Sequence, residues 1–176
     1  MNPAERLGVG RDMLTIDGIP LHPLFVHAVV VLLPLAALTS VAIALVPSWR
    51  RRYAWPVLGI TLAGVGAVPV AKQAGEDLKA ALESRVGPNP AIQTHADLGT
   101  TLLPIALGFG VAVIALLVAG RLADRERQAE APTTKTWRVI SVVVSVLVIL
   151  LAVGTTVQTV RAGHSGSTAV WSGVGS

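Results

Sequence analysis

Four stretches of the chain contain no Asp, Glu, Lys or Arg: Leu24–Val46, Ala54–Ala71, Leu98–Gly120 and Val139–Val160. Between them the charges return in short clusters. A helix rises about 1.5 Å per residue, so about 20 residues cross a hydrocarbon core about 30 Å thick. Each stretch is expected to form one membrane-spanning helix. The second is the shortest and continues past Lys72, whose stem lets its ammonium reach the interface. A helix packed in a soluble bundle keeps a polar face, and these four have none. The predicted fold is an all-α membrane protein, a four-helix transmembrane bundle of two hairpins with both termini on the outer side. It divides into an N-terminal tail (1–23), the bundle (24–162) and a C-terminal tail (163–176).

Composition agrees with the pattern. Of 176 residues, 52% are hydrophobic and 14% charged, with a mean hydropathy of +0.66. Soluble domains are about a quarter charged. A soluble enzyme, a disordered tail and a nucleic-acid binder are all disfavoured. The pI of about 10.3 and net charge of +4 then reflect where the bases lie. Arg50, Arg51 and Arg52 follow the first span; Arg121, Arg125, Arg127, Lys135 and Arg138 follow the third. Short loops rich in Lys and Arg stay on the cytoplasmic side, which puts both termini outside a bacterial plasma membrane. Trp49, Tyr53, Trp55 and Trp137 cluster at the same boundary, as amphipathic rings do. The first span is too long for a signal core, and no small-x-small cleavage pattern follows it, so it is read as retained.

The connecting segments carry local signals. Lys72–Arg85 places Leu78, Ala81 and Leu82 on one face, an amphipathic extension of span two at the interface. Asn89-Pro90 reads as an N-cap followed by proline at the first helical position. His22-Pro23 opens span one in a similar way. The segment Asp124–Thr136 is expected to be a polar loop, and the Gly- and Ser-rich tail from Gly163 to be irregular. His27 precedes Leu32-Leu33-Pro34-Leu35-Ala36, and His95 precedes Leu102-Leu103-Pro104-Ile105-Ala106. This echo points to two parallel hairpins related by an axis along the membrane normal.

With no cysteine in the chain, thiolate sites and disulfides are excluded and the four histidines are the main ligands left. The topology brings His22, His27, His95 and His164 to one end of the bundle. His27 and His95 are the best candidate pair for a haem b or a transition metal, His164 is next, and His22 reads chiefly as a helix cap. Imidazole at the end of an apolar bundle binds a cofactor, pairs with a carboxylate or relays protons. Glu76, Asp77 and Asp97 are the candidate acceptors behind the ligands, and Gly99 lies one turn from His95, where a flat macrocycle or a second helix has room to approach. A histidine at a helix end also has an ordinary structural role as a cap. Serines and threonines within the spans, such as Ser40, Thr61, Thr155 and Thr156, are expected to satisfy backbone groups or neighbouring helices rather than act as nucleophiles.

No phosphate loop, dinucleotide fingerprint, HExxH or nucleophile elbow is present, and no span carries a charge near its midpoint. The run Gly18-Ile-Pro20-Leu-His22-Pro23-Leu-Phe-Val26-His27 and the end Gly163-His164-Ser165-Gly166 resemble motifs of a bacterial membrane family, domain of unknown function 2231. The resemblance implies a four-span protein without assigning an activity. Ala28 and Val29 stand where an aromatic residue and a proline often follow the second histidine. Two functions remain in view: a haem- or metal-binding electron-transfer protein, and a structural or accessory membrane subunit whose histidine and carboxylate cluster stabilises packing. The expected partners are the bilayer, a redox protein or membrane complex, and a second copy through small-residue faces.

Overall fold

The structure, a computed structural model, describes residues 15–16, 19–128 and 135–171. A two-residue antiparallel ladder, β1 (Thr15–Ile16) on β2 (Ile19–Pro20), leads directly into four long helices. These are α1 (Leu21–Leu45), α2 (Pro47–Val86), α3 (Pro90–Gln128) and α4 (Lys135–Trp171). All four are long and apolar enough to cross a membrane. Each runs unbroken through its internal prolines: Pro34 in α1, Pro56 and Pro69 in α2, and Pro104 in α3.

The turns follow from local chemistry. A proline disfavours helical geometry in the residue before it, and Val46 accordingly leaves the helix at φ −118°, while Pro47 opens α2. One residue thus joins α1 to α2. At the other end of α2, Gly87 takes φ +82° and its N–H donates to the Glu83 carbonyl at 3.0 Å; glycine adopts this left-handed backbone without steric cost. Asn89 then caps α3, its Oδ1 accepting the Ala91 N–H at 2.9 Å.

The helices are longer than the uncharged stretches. The amphipathic segment Lys72–Arg85 belongs to one continuous α2. The polar segment expected as a loop after span three is helical as far as Gln128 and again from Lys135, and 129–134 lies outside the described residues. The tail expected to be irregular from Gly163 is helical to Trp171. Its hydroxyls are satisfied within the helix: Ser165 donates to the Ala162 carbonyl, and Ser167 and Thr168 to that of His164. The segment is also held by packing, the Ala162 carbonyl accepting from His95 and Gly166 lying against its ring.

The helices form a square, α1 packing on α2 and α4, and α3 on α4 and α2, with α1 and α3 across the diagonal. Their buried residues repeat. Shifted by 73 positions, the separation of His22 and His95, every buried residue of α1 (Val29, Leu33, Ala36, Ala37, Ser40, Ile43, Ala44) falls on a buried residue of α3 (Leu102, Ala106, Phe109, Gly110, Val113, Leu116, Leu117). Shifted by 91, the separation of Ala71 and Ala162, the described buried residues of α4 fall on those of α2. The hairpins α1–α2 and α3–α4 are therefore equivalent halves. In this register His22 corresponds to His95, and the Leu-Leu-Pro echo, a shift of 70 that puts His27 on Asp97, is out of step.

The core is built of small and branched residues, Phe109 being its largest fully buried side chain. The outward faces carry Val31, Leu38, Leu150 and Val153, all exposed. Lipid, not water, suits such a surface. Within the helices, Thr39, Thr61, Thr101, Thr156 and Thr159 donate to carbonyls one turn back, whereas the buried hydroxyls of Ser40 and Thr155 have no partner, against expectation.

Candidate functional site

At the end of the bundle where α1 and α3 begin, a cavity of about 630 Å³ opens between the helices. Its wall is mainly apolar, with Val26, Val29, Val68, Ile92 and Leu102 among its residues, and His22, His27 and His95 break that surface. The size lies within the range of about 300–1,000 Å³ usual for small-molecule and cofactor sites.

Two of the histidines are held alike. His22 Nδ1 donates to the Ala71 carbonyl at 2.8 Å, and His95 Nδ1 donates to the Ala162 carbonyl at 3.0 Å. A carbonyl can only accept, so in each neutral ring Nδ1 carries the proton and Nε2 the lone pair. Four residues beyond each acceptor is a glycine on which the ring rests. A Cβ on Gly75 would lie 2.8 Å from His22 Nδ1, and one on Gly166 would lie 3.0 Å from His95 Cε1. Ser165 Oγ, 3.2 Å from His95 Nδ1, donates to the Ala162 carbonyl, which fixes the second ring further. The two half-buried rings meet edge to face, their centres 5.8 Å apart.

The other candidates stand apart from this pair. His27 lines the cavity but is exposed, and its Nδ1 donates to Pro23 one turn back at 2.6 Å. His164 is exposed on α4, outside the cavity wall. Glu76 also lines the cavity and pairs with Lys72. Asp77 accepts from Gln73 at 3.3 Å, and Asp97 from Gln93 at 2.8 Å. The acceptors behind His22 and His95 are backbone carbonyls, so these three carboxylates serve other contacts. Lys79, another cavity residue, reaches Gln93 across the α2–α3 turn and Glu83 at 3.7 Å. Gly99 has open space where a Cβ would stand.

The glycine seats were not anticipated from the sequence, although a signal for them exists. Ala71-Lys-Gln-Ala-Gly75 and Ala162-Gly-His-Ser-Gly166 are two Ala-x-x-x-Gly segments at the matching ends of α2 and α4. Among the described residues no three His, Asp or Glu side chains gather to hold a bare metal ion.

Residues 18–175 match the profile of a family described as "Predicted membrane protein (DUF2231)". The chain belongs to that family. No curated protein and no solved structure matches this DUF2231 chain. The reading of its site rests on its own geometry.

Proposed function

We propose that the cavity of this membrane protein holds a haem b between His22 and His95, and that the protein transfers electrons at the outer face of a bacterial plasma membrane. The observation that carries the reading is the pair of imidazoles on diagonal helices, each tied through Nδ1 to a neighbouring backbone and each with Nε2 left as donor atom. If His22 and His95 held the haem, their Nε2 atoms would be its two nitrogen ligands. The rings, now in an edge-to-face contact with centres 5.8 Å apart, would have to part to admit it. Backbone acceptors behind both rings orient them and raise their basicity. Lys72 and Lys79 at the wall are cations of the kind that meet a carboxylate-bearing macrocycle. When bound, the haem supplies one-electron chemistry, and a redox protein or membrane complex at the same face supplies or takes the electron. The basic loops at the other end support an outer location for the histidines under the positive-inside rule.

A second reading has its own observation. Each histidine bond stays within one hairpin, so the pair also works as two identical clasps joining α1 to α2 and α3 to α4. A titration separates the two. The detergent-purified chain is mixed with hemin, and haem and metals are quantified after removal of excess. Uptake approaching one haem per chain is expected. No saturable uptake would leave the clasp, and stoichiometric transition metal without haem would replace the cofactor.

A further inference from the structure

The opposite end of the bundle carries a second cavity, of about 130 Å³, between the start of α2 and the end of α3. It lies twenty-one residues below Ala71 along α2, about 32 Å from the histidines at 1.5 Å per residue. Three guanidinium groups line it: Arg50, Arg51 and Arg121. Arg50 is buried, 9% exposed. Its Nε donates to the Ile43 carbonyl at 3.4 Å, and its stem lies against Gly120, where a Cβ would stand 2.7 Å from Cδ. The Arg121 guanidinium sits 4.9 Å over the Trp55 ring, which orients it. One acid shares the wall, Asp124, 3.6 Å from Arg51 Nε.

The charges do not balance. Three arginines face one carboxylate, leaving an excess of two positive charges around a small cavity. Arg50 stands in the first turn of α2, which contains no acidic residue, and the repulsion from that helix's positive end is offset by the last turn of α1, whose Ile43 carbonyl accepts from Nε. A buried cation in that position needs an anion. The space is about four water volumes, at about 30 Å³ each. It admits a tetrahedral oxyanion. Arginine forks match phosphate oxygens in bidentate fashion. Exposed Trp49, Tyr53 and Trp55 flank the site, as rings do at headgroup level.

We propose that this cavity is a phosphate-group site, with Arg50, Arg51 and Arg121 as donors and Asp124 as the residue that orients Arg51. The bearer of the phosphate is an anionic phospholipid headgroup or a free phosphate, and the test separates them. The full chain in mild detergent is examined by native mass spectrometry with phosphatidylglycerol or phosphatidylcholine added, and by thermal unfolding with inorganic phosphate. Arg51→Gln and Arg121→Gln are each expected to lower phosphatidylglycerol retention about fivefold, the effect of about 1 kcal/mol per basic residue. Both side chains are exposed enough for the variants to fold, which circular dichroism checks. Arg161→Gln, at the histidine end, should retain lipid as the unaltered chain does. Retention of phosphatidylglycerol over phosphatidylcholine supports the lipid as bearer. Stabilisation by inorganic phosphate alone, lost in the same two variants, supports a free phosphate. Binding of neither, or retention unchanged in the Arg51→Gln, Arg121→Gln double variant, overturns the site.

Discussion

His22 and His95 lie on helices across the bundle diagonal, yet their rings meet edge to face with centres 5.8 Å apart. Each is bonded to the backbone of its own hairpin partner and seated on that partner's glycine. The relationship is a consequence of the repeat: equivalent residues of two equivalent halves converge on the line that exchanges the halves.

The glycine seats are the first test of this arrangement. Gly75→Ala brings a methyl within 2.8 Å of two His22 ring atoms, and Gly166→Ala one within 3.0 Å of His95. The His22 contact forces a shift and the His95 contact requires its ring, held by the Ala162 carbonyl, to give way, which opposes the gain of about 1 kcal/mol that alanine brings to a helix interior. Lower melting temperatures in detergent are expected, Gly75→Ala being the more damaging. Gly66→Ala, exposed and with nothing near its added Cβ, should match or exceed the unaltered chain.

The histidines divide in two by what they touch. His22→Ala and His95→Ala each remove a hydrogen bond between helices and a packed ring, and should cost about 1–2 kcal/mol. His27→Ala and His164→Ala remove exposed rings and should shift the unfolding midpoint little. Denaturant titration of the four single variants reads this directly. Equal losses in all four would refute the distinction.

At the arginine end, Gly120 and Arg50 are expected to be coupled. A methyl at Gly120 would stand 2.7 Å from Arg50 Cδ and 3.1 Å from Nη1. Gly120→Ala should therefore lower stability in the native background and cost less once Arg50 is shortened to alanine. The coupling energy from the double-mutant cycle should be at least about 0.5 kcal/mol. Additive effects would show that the two do not touch.

Asn89→Ala tests how α3 is started. The Asn89 side chain satisfies the Ala91 N–H, and loss of such a cap costs about 1 kcal/mol. Thermal unfolding of Asn89→Ala, compared with Asn89→Ser, should show a deficit in the first and a smaller one in the second.

Much of the fold was legible because charge is costly in a bilayer. The uncharged runs located all four helices, and Asn89-Pro90 marked the start of α3. Helix ends in the polar zones were less legible. Beyond Gly163 the composition reads as loop, and the helix persists where it packs on His95, through the Ala162 carbonyl and the Gly166 seat. The histidine end was legible as a region, and its pairing was not. Helices that are apolar all round give no polar face from which to read rotation, so nothing in the sequence showed that α1 turns His22 inward and leaves His27 exposed. The carboxylates Glu76, Asp77 and Asp97 drew attention as partners because they are charged, whereas the acceptors at Ala71 and Ala162 are backbone atoms that any residue supplies.

The central claim is that His22 and His95 together ligate one haem. Absorbance spectra of the air-oxidised and dithionite-reduced protein, purified from cells with ample haem, test it most directly when recorded beside His22→Ala, His95→Ala and His27→Ala. The account predicts a Soret band and a reduced α band in the unaltered chain and in His27→Ala, both lost in the other two. No Soret band in the unaltered chain, or an undiminished one in His22→Ala and His95→Ala, would contradict it.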